Sequence, residues 1–226
     1  MNALYHVYQK LFAHFFPRQY KQHHELLYWQ GRKLREQTLI NDHYAYFYTT
    51  YFGLTPDFYT GKSILDIGCG PRGSLEWASM AAERVGLDPL ADQYRQLGTA
   101  SHRMTYANAP AEQIPFAGGY FDVVCSFNSL DHVDDLNKTV TEIKRVVRPG
   151  GLFLLIVEAN HPPMITEPVT FRWEDVGLFE DAFRVDILRK YEIGDDIYQQ
   201  LSHNRFFDDN NPTSRPGVLA VKFVRK

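Results

Sequence analysis

From Lys62 onward, apolar runs of strand length alternate with segments whose apolar residues recur every three or four positions. The runs Ser63–Ile67, Arg84–Leu87, Met104–Ala107, Phe121–Ser126 and Leu152–Val157 read as strands, most of them apolar enough to be buried on both faces. Between them, Leu75, Ala78 and Ala82, then Leu136, Val140, Ile143 and Val147, sit at spacings that suit helices docked on a sheet. The first of these helices is expected from about Ser74 to Arg84. Pro149-Gly150-Gly151 stops the last helix and turns the chain into the fifth strand. This alternation predicts an α/β fold with a parallel sheet covered on both faces. After Glu158 the pattern changes to a loop at Asn160-His161-Pro162-Pro163, a helix over Trp173 to Phe183, and strands over Arg184–Tyr191 and Val218–Val224. Residues 194–217, rich in Gly, Asp, Asn and Pro, form a long irregular connection between those strands.

Residues 1–60 carry a different pattern, helical and unusually aromatic. Leu4, Tyr8, Leu11 and Phe15 recur at helical spacing, Pro17 breaks that helix, and Leu26, Trp29, Lys33 and Leu34 continue a partly apolar face beyond it. Two readings stand side by side: helices packed on the core, or an extension in which His43, Tyr44, Tyr48 and Tyr51 form a lid over a substrate pocket.

Composition narrows the function classes. A chain of 226 residues with 44% hydrophobic content can bury a substantial core, and its net charge of −3 gives no electrostatic basis for binding nucleic acid. No apolar run reaches the roughly 18 residues of a membrane span, and the N-terminus lacks the order of a signal peptide. A cytoplasmic protein without a membrane partner is expected. The two cysteines, Cys69 and Cys125, form no metal or redox pattern and are read as free thiols.

The richest chemistry lies in Ile64-Leu65-Asp66-Ile67-Gly68-Cys69-Gly70-Pro71-Arg72-Gly73, a buried strand running into a glycine turn. Glycines let backbone N–H groups approach a ligand, and the expected helix from Ser74 would aim its positive end at the same place. Gly68-x-Gly70-x-x-Gly73, with Asp88 twenty residues beyond Gly68, also fits a dinucleotide fingerprint. The turn by itself therefore leaves NAD and other adenosine-bearing cofactors open. Asp66 shifts the balance, because an anion inside this strand would repel a pyrophosphate and attract an ammonium.

Further segments follow in order: Ala111-Glu112-Gln113-Ile114-Pro115-Phe116, Phe121-Asp122-Val123-Val124, Leu130-Asp131-His132-Val133 and Arg145-Val146-Val147-Arg148-Pro149-Gly150-Gly151. With the glycine turn, this series over about Lys62 to Glu158 resembles the class I S-adenosylmethionine-dependent methyltransferases, in the small-molecule branch called the type 11 methyltransferase domain. The resemblance implies a Rossmann-like three-layer sandwich with a seven-stranded, mostly parallel sheet whose last strand is antiparallel. With the helical, aromatic pattern of the first sixty residues, the chain is expected to divide into an N-terminal helical extension or lid over 1–60 and an S-adenosylmethionine-binding domain over 61–226. Gly68, Gly70 and Pro71 match the turn around the amino-acid half of the cofactor, with Asp66 ordering it. Asp88, followed by Pro89, matches the ribose-binding acid. Ala111 and Glu112 match the loop beside the adenine, and Asn128 a position whose carbonyl reaches the ammonium. Two positions depart from the pattern: Arg72, read as pointing outward, replaces a glycine, and Pro110 replaces an acid.

Methyl transfer is an in-line displacement that depends on positioning and on exclusion of water. For a hydroxyl acceptor, His132 and His161 are the candidate bases, since both follow strand ends on the cofactor side. Asn128, Asp131 and His132 are spaced i, i+3, i+4 and would share a helix face, but helix capping by Asp131 is the stronger expectation and no metal is expected. The expected function is methylation of a small molecule, at oxygen first. A methyltransferase-like binding module without turnover, or a NAD-dependent oxidoreductase, is the alternative. Acceptor identity and oligomeric state are not encoded in these motifs.

Overall fold

The computed structural model describes residues 11–41, 44–211 and 213–226. Seven strands form one sheet: β1 Ser63–Ile67, β2 Glu83–Leu87, β3 Thr105–Ala107, β4 Phe121–Phe127, β5 Val147–Ala159, β6 Phe183–Glu192 and β7 Gly217–Arg225. Their order is β3-β2-β1-β4-β5-β7-β6. The pairs β1·β2, β1·β4, β2·β3 and β4·β5 are parallel, and β7 runs antiparallel to both β5 and β6. The expected Rossmann-like sheet with an antiparallel last strand is therefore present. β5 is longer than its apolar run suggests, because Val147 already pairs with Phe121 before a register shift carries the strand to Leu152 opposite Val123.

The period-two alternation of a strand sorts the side chains into two core layers. Leu65, Ile67, Phe153, Leu155, Leu219 and Phe223 face one side, where they meet Val140, Ile143 and Val146 of the helix Leu136–Val146 and the aromatic group Phe171, Phe179 and Phe183. Ile64, Val123, Cys125, Leu154, Ile156 and Ala220 face the other. That second layer is covered by Phe47, Tyr48, Tyr51, Phe52 and Tyr59, all below 5% exposure. The aromatic segment is thus a layer of the core. Tyr44 is half-buried beside it, while His43, like Leu4 and Tyr8, lies outside the described residues.

Three expected segments change. No helix forms between Ser74 and Arg84: turns closed by Glu76 N–H to Gly73 O, Ala78 N–H to Leu75 O and Ala81 N–H to Ala78 O carry the chain straight into β2. The apolar spacing there is real, since Leu75 and Ala78 are fully buried, but the aromatic layer already fills the space a regular helix would need. The Trp173 segment is a 3₁₀ helix, Trp173–Phe179. The long connection before β7 contains a short helix, Ile197–Ser202, capped by Asp196, whose carboxylate accepts from the N–H groups of Tyr198 and Gln199. Arg215 ties this connection back to β6 through Glu192 at 2.6 and 3.0 Å.

We label the first long helix α1, Pro17–Glu36. Pro17 suits its first turn, where the missing N–H is no loss, and Lys33 and Arg35 suit its last. No residue of α1 is fully buried. Leu26 and Trp29 rest against a small cluster of Leu39, Leu90, Tyr94 and Leu97.

Phe153 is fully buried with ring centroids of Phe179 and Phe223 at 5.2 and 5.6 Å. Phe153→Ala should lower unfolding free energy by about 3–5 kcal/mol in denaturant titration, whereas Leu34→Ser, at a side chain 83% exposed, should leave it unchanged.

Candidate cofactor cleft

The sheet order reverses direction between β1 and β4, and the crevice beyond the carboxyl ends of those two strands is where an open α/β sheet binds ligands. The contact that shapes it is close. A Cβ on Gly68, whose φ is +69°, would fall 2.3 Å from Ser129 Cβ. Ser129 Oγ donates to Ile67 O at 2.7 Å and lies 2.7 Å from Ser126 Oγ, so the exits of β1 and β4 are pinned together. Asp88, at the end of β2, accepts from Gly70 N–H at 3.2 Å and Leu90 N–H at 2.9 Å, which fixes the other side of the glycine turn.

These strand ends floor a cleft of about 630 Å³, a size suited to a cofactor or small ligand. Asp66, Gly68, Gly70, Asp88, Pro89, Ala111, Glu112, Asn128 and His132 all line it. Pro71 is buried within the turn and His161 lies behind the wall, so neither lines the cleft. Lys21, Glu25, Tyr28 and Trp29 of α1 line it too. Trp29 lies against the glycine turn, its ring 3.0 Å from where a Gly70 Cβ would stand.

Arg72 does not point outward. Its guanidinium holds both Glu36 carboxylate oxygens at 2.8 and 2.7 Å, donates to Ile40 O, and stacks over Trp29. At the other end of α1, Arg18 and Lys21 bind Asp134, and Lys21 also donates to His132 O at 2.7 Å. Helix α1 is thereby strapped across the cleft by charge.

Asp66 is 3% exposed and accepts from Tyr48 Oη at 3.0 Å. Burial pushes its carboxyl up to about 7, against the opposing pull of Ser74 and Tyr48 beside it. Burial likewise raises Asp88 to about 6. The Ser74 hydroxyl, buried in the same wall, has no well-formed hydrogen bond. A buried carboxylate only partly offset by its neighbours and a glycine-lined floor fit a ligand that carries a cation and polar donors.

Other expectations are corrected. Asn128 has φ +52° and Ser129–His132 is a turn, so Asn128, Asp131 and His132 do not share a helix face. The cap of the helix Leu136–Val146 is Asp135, accepting from Lys138 N–H, and not Asp131. Asp131 is 1% exposed and faces His161 at 3.6 Å. His161 Nδ1 is 2.9 Å from Pro162 O, and the hydrogen-bonding influence of Asp131 raises the imidazole to about 9. A ring turned from the cleft is not placed to act as a base on an acceptor there. His132 does face the cleft, with Nε2 at 3.8 Å from Glu167 Oε1. Glu112 spends one oxygen on the N–H groups of Asp134 and Asp135, at 2.6 and 3.0 Å.

Ser74, Glu158 and Glu167 also line the cleft and escaped the sequence reading. Glu158, at the end of β5, had a positional signal, whereas Ser74 and Glu167 sit in irregular segments with none.

Residues 65–155 match the protein family described as a methyltransferase domain. Over that stretch the chain is a class I S-adenosylmethionine-dependent methyltransferase domain. S-adenosylmethionine is the cofactor of that domain. Over 121 residues the chain is 32% identical to a tocopherol O-methyltransferase of Arabidopsis thaliana, covering 50% of this chain and 35% of that protein. Over 102 residues it is 38% identical to a ubiquinone biosynthesis O-methyltransferase of Rhizobium rhizogenes, covering 41% of this chain and 39% of that one. The matches thus span well under half the length of these curated relatives. Among solved structures, an S-adenosylmethionine-dependent methyltransferase of Mesorhizobium loti superposes with a TM-score of 0.56 at 18% identity, covering 74% of this chain and 92% of that one, a likeness of fold.

Because the folded Asp66 carboxyl titrates near 7 and an unfolded one near 3.8, the folded methyltransferase domain holds the extra proton between those values. Stability from this group is therefore lost as pH rises from about 4 to about 7. Asp66→Asn should raise the melting temperature of the cofactor-free protein at pH 8 more than at pH 5; an equal change at both pH values would refute the buried, proton-holding carboxyl.

Proposed function

We propose that this protein transfers a methyl group from S-adenosylmethionine to the oxygen of a small-molecule acceptor. The observation that carries the reading is the pair of buried carboxylates, Asp66 and Asp88, flanking the glycine turn where the sheet reverses. When bound, the cofactor supplies an electrophilic methyl group on a sulfonium. Asp66 and the carbonyl of Asn128 offer negative charge to its ammonium, with Gly68, Gly70 and Pro71 shaping the turn around its amino-acid half. Asp88 keeps acceptor capacity on both oxygens for the paired ribose hydroxyls, beside Pro89. Ala111 and the free oxygen of Glu112 border the place left for the adenine. Support for oxygen as the acceptor atom comes from the two O-methyltransferases the chain resembles.

A nicotinamide dinucleotide is the poorer ligand for the same turn. Its pyrophosphate would meet the Asp66 carboxylate and would lack a helix N-terminus, since Ser74–Met80 is a run of turns. Helix α1, with Trp29 against the turn, serves as a lid that excludes water from the reacting atoms. His132 is the base that takes the acceptor proton, with the Glu167 carboxylate 3.8 Å from its Nε2.

Calorimetry should show S-adenosylmethionine binding and no NAD binding, and Asp88→Ala should weaken the former by about 1–3 kcal/mol. Unchanged affinity in that variant would remove Asp88 from the ribose site. A metabolite screen of phenols, sugars and carboxylic acids for S-adenosylhomocysteine release tests turnover and acceptor class together; cofactor binding with no release from any acceptor favours a binding module. With an acceptor in hand, His132→Asn should lower kcat about 100-fold while cofactor affinity is retained. A kcat equal to wild type would dismiss His132 as the base.

A further inference from the structure

The connection after β5 folds back onto the exit of β4. Val169 N–H donates to Asp131 O, Asn160 N–H to Phe171 O, and Met164 N–H to Glu167 O. This brings three side chains from separate parts of the chain together: Asp131 after β4, His161 after β5, and Glu167 six residues further on. One ligand-capable atom from each lies within 4.8 Å of the other two.

We propose that Asp131, His161 and Glu167 form a binding site for a divalent first-row transition ion, zinc or manganese in preference to magnesium. The hydrogen bonding around His161 supports it. A backbone carbonyl has no proton to give, so Nδ1 is the donor to Pro162 O at 2.9 Å. In the neutral ring this leaves the Nε2 lone pair aimed at Asp131 Oδ2, 3.6 Å away, too far for a hydrogen bond. A carbonyl that fixes the far nitrogen is the usual support of a ligating histidine. His161 Nε2 and Asp131 Oδ1 are buried without hydrogen-bond partners, in residues 6% and 1% exposed. Asp131 Oδ2 is the oxygen that faces Nε2, and an ion between imidazole and carboxylate would engage both, with Oδ1 left as a further ligand donor. The 3.6 Å gap also matches the span of two ligands about 2.1 Å from one tetrahedral ion, roughly 3.4 Å.

The third group decides where the site opens. Asp131 and His161 are sealed behind the wall, whereas Glu167 is half-buried and lines the cleft. An ion held there would be closed on the protein side and open toward the space left for an acceptor. One imidazole with two carboxylates suits zinc or manganese; magnesium prefers oxygen ligands and retained water. The site is distinct from the Asn128, Asp131 and His132 spacing, which the turn at Ser129–His132 dismantles.

The test is metal uptake by the full chain after chelator treatment, titrated with zinc, manganese or magnesium chloride in calorimetry and thermal melts without cofactor. One equivalent of zinc or manganese should bind and raise the melting temperature, and magnesium should bind far more weakly. Glu167→Gln, at a half-exposed position that should fold normally, and His161→Asn should each weaken uptake by about tenfold or more. The double variant His23→Asn, His24→Asn on α1 should bind as wild type. No uptake, with His161 simply protonated against Asp131, overturns the proposal, as does uptake that Glu167→Gln leaves unchanged or that the α1 variant abolishes. Because no cofactor is present, failure here leaves the methyl-donor reading untouched.

Discussion

The closure of β1 on β4 through Gly68 and Ser129 sets the position of everything else in the cleft. Any side chain at Gly68 would wedge the two strand exits apart, and the Ser129 hydrogen bond to Ile67 would open with them. The same closure puts Asp66 one residue from the end of its strand, on the face that carries Ile64 and Cys125. That layer is buried, and a carboxylate there retains its charge only at a cost in solvation. Tyr48 offsets part of that cost. A cationic ligand would offset the remainder, which couples the chemistry of the turn to the aromatic layer beneath it.

That layer is this chain's main variation on the doubly wound architecture. A parallel crossover from β1 to β2 usually brings a helix to cover the sheet. Here the crossover is a chain of turns, and the segment before β1 supplies the cover instead. Tyr51 Oη meets Tyr191 Oη at 2.8 Å, and Tyr59 donates to Tyr48 O, so polar tips are satisfied within an otherwise apolar packing. The glycine turn consequently presents backbone and carboxylates to a ligand, with no helix dipole behind them.

Strands and motifs were legible in the sequence because their signals are local. Ser63–Ile67 is read to the residue, and the order of the later motifs implied the antiparallel β7. The helix expected at Ser74 was lost because Leu75, Ala78 and Ala82 report burial, and burial alone does not distinguish a helix from packed turns. Asp131 was misread for a related reason. An acid shortly before an apolar helix resembles a cap, but Asp135 takes that role and frees Asp131 to meet a histidine thirty residues away. Arg72 and Glu167 depend wholly on tertiary partners, α1 for one and the exit of β4 for the other, and nothing in their neighbourhoods announces either.

Helix α1 has no fully buried residue, yet it spans the cleft from Asp134 to Arg72. The ion pairs at its two ends are only partly buried, and the apolar surface it covers is the small patch under Leu26 and Trp29. The helix over the cleft is therefore fastened largely by contacts that salt can weaken, while the floor is fastened by core packing. Helix α1 can therefore lift from the cleft while the sheet beneath it keeps its packing.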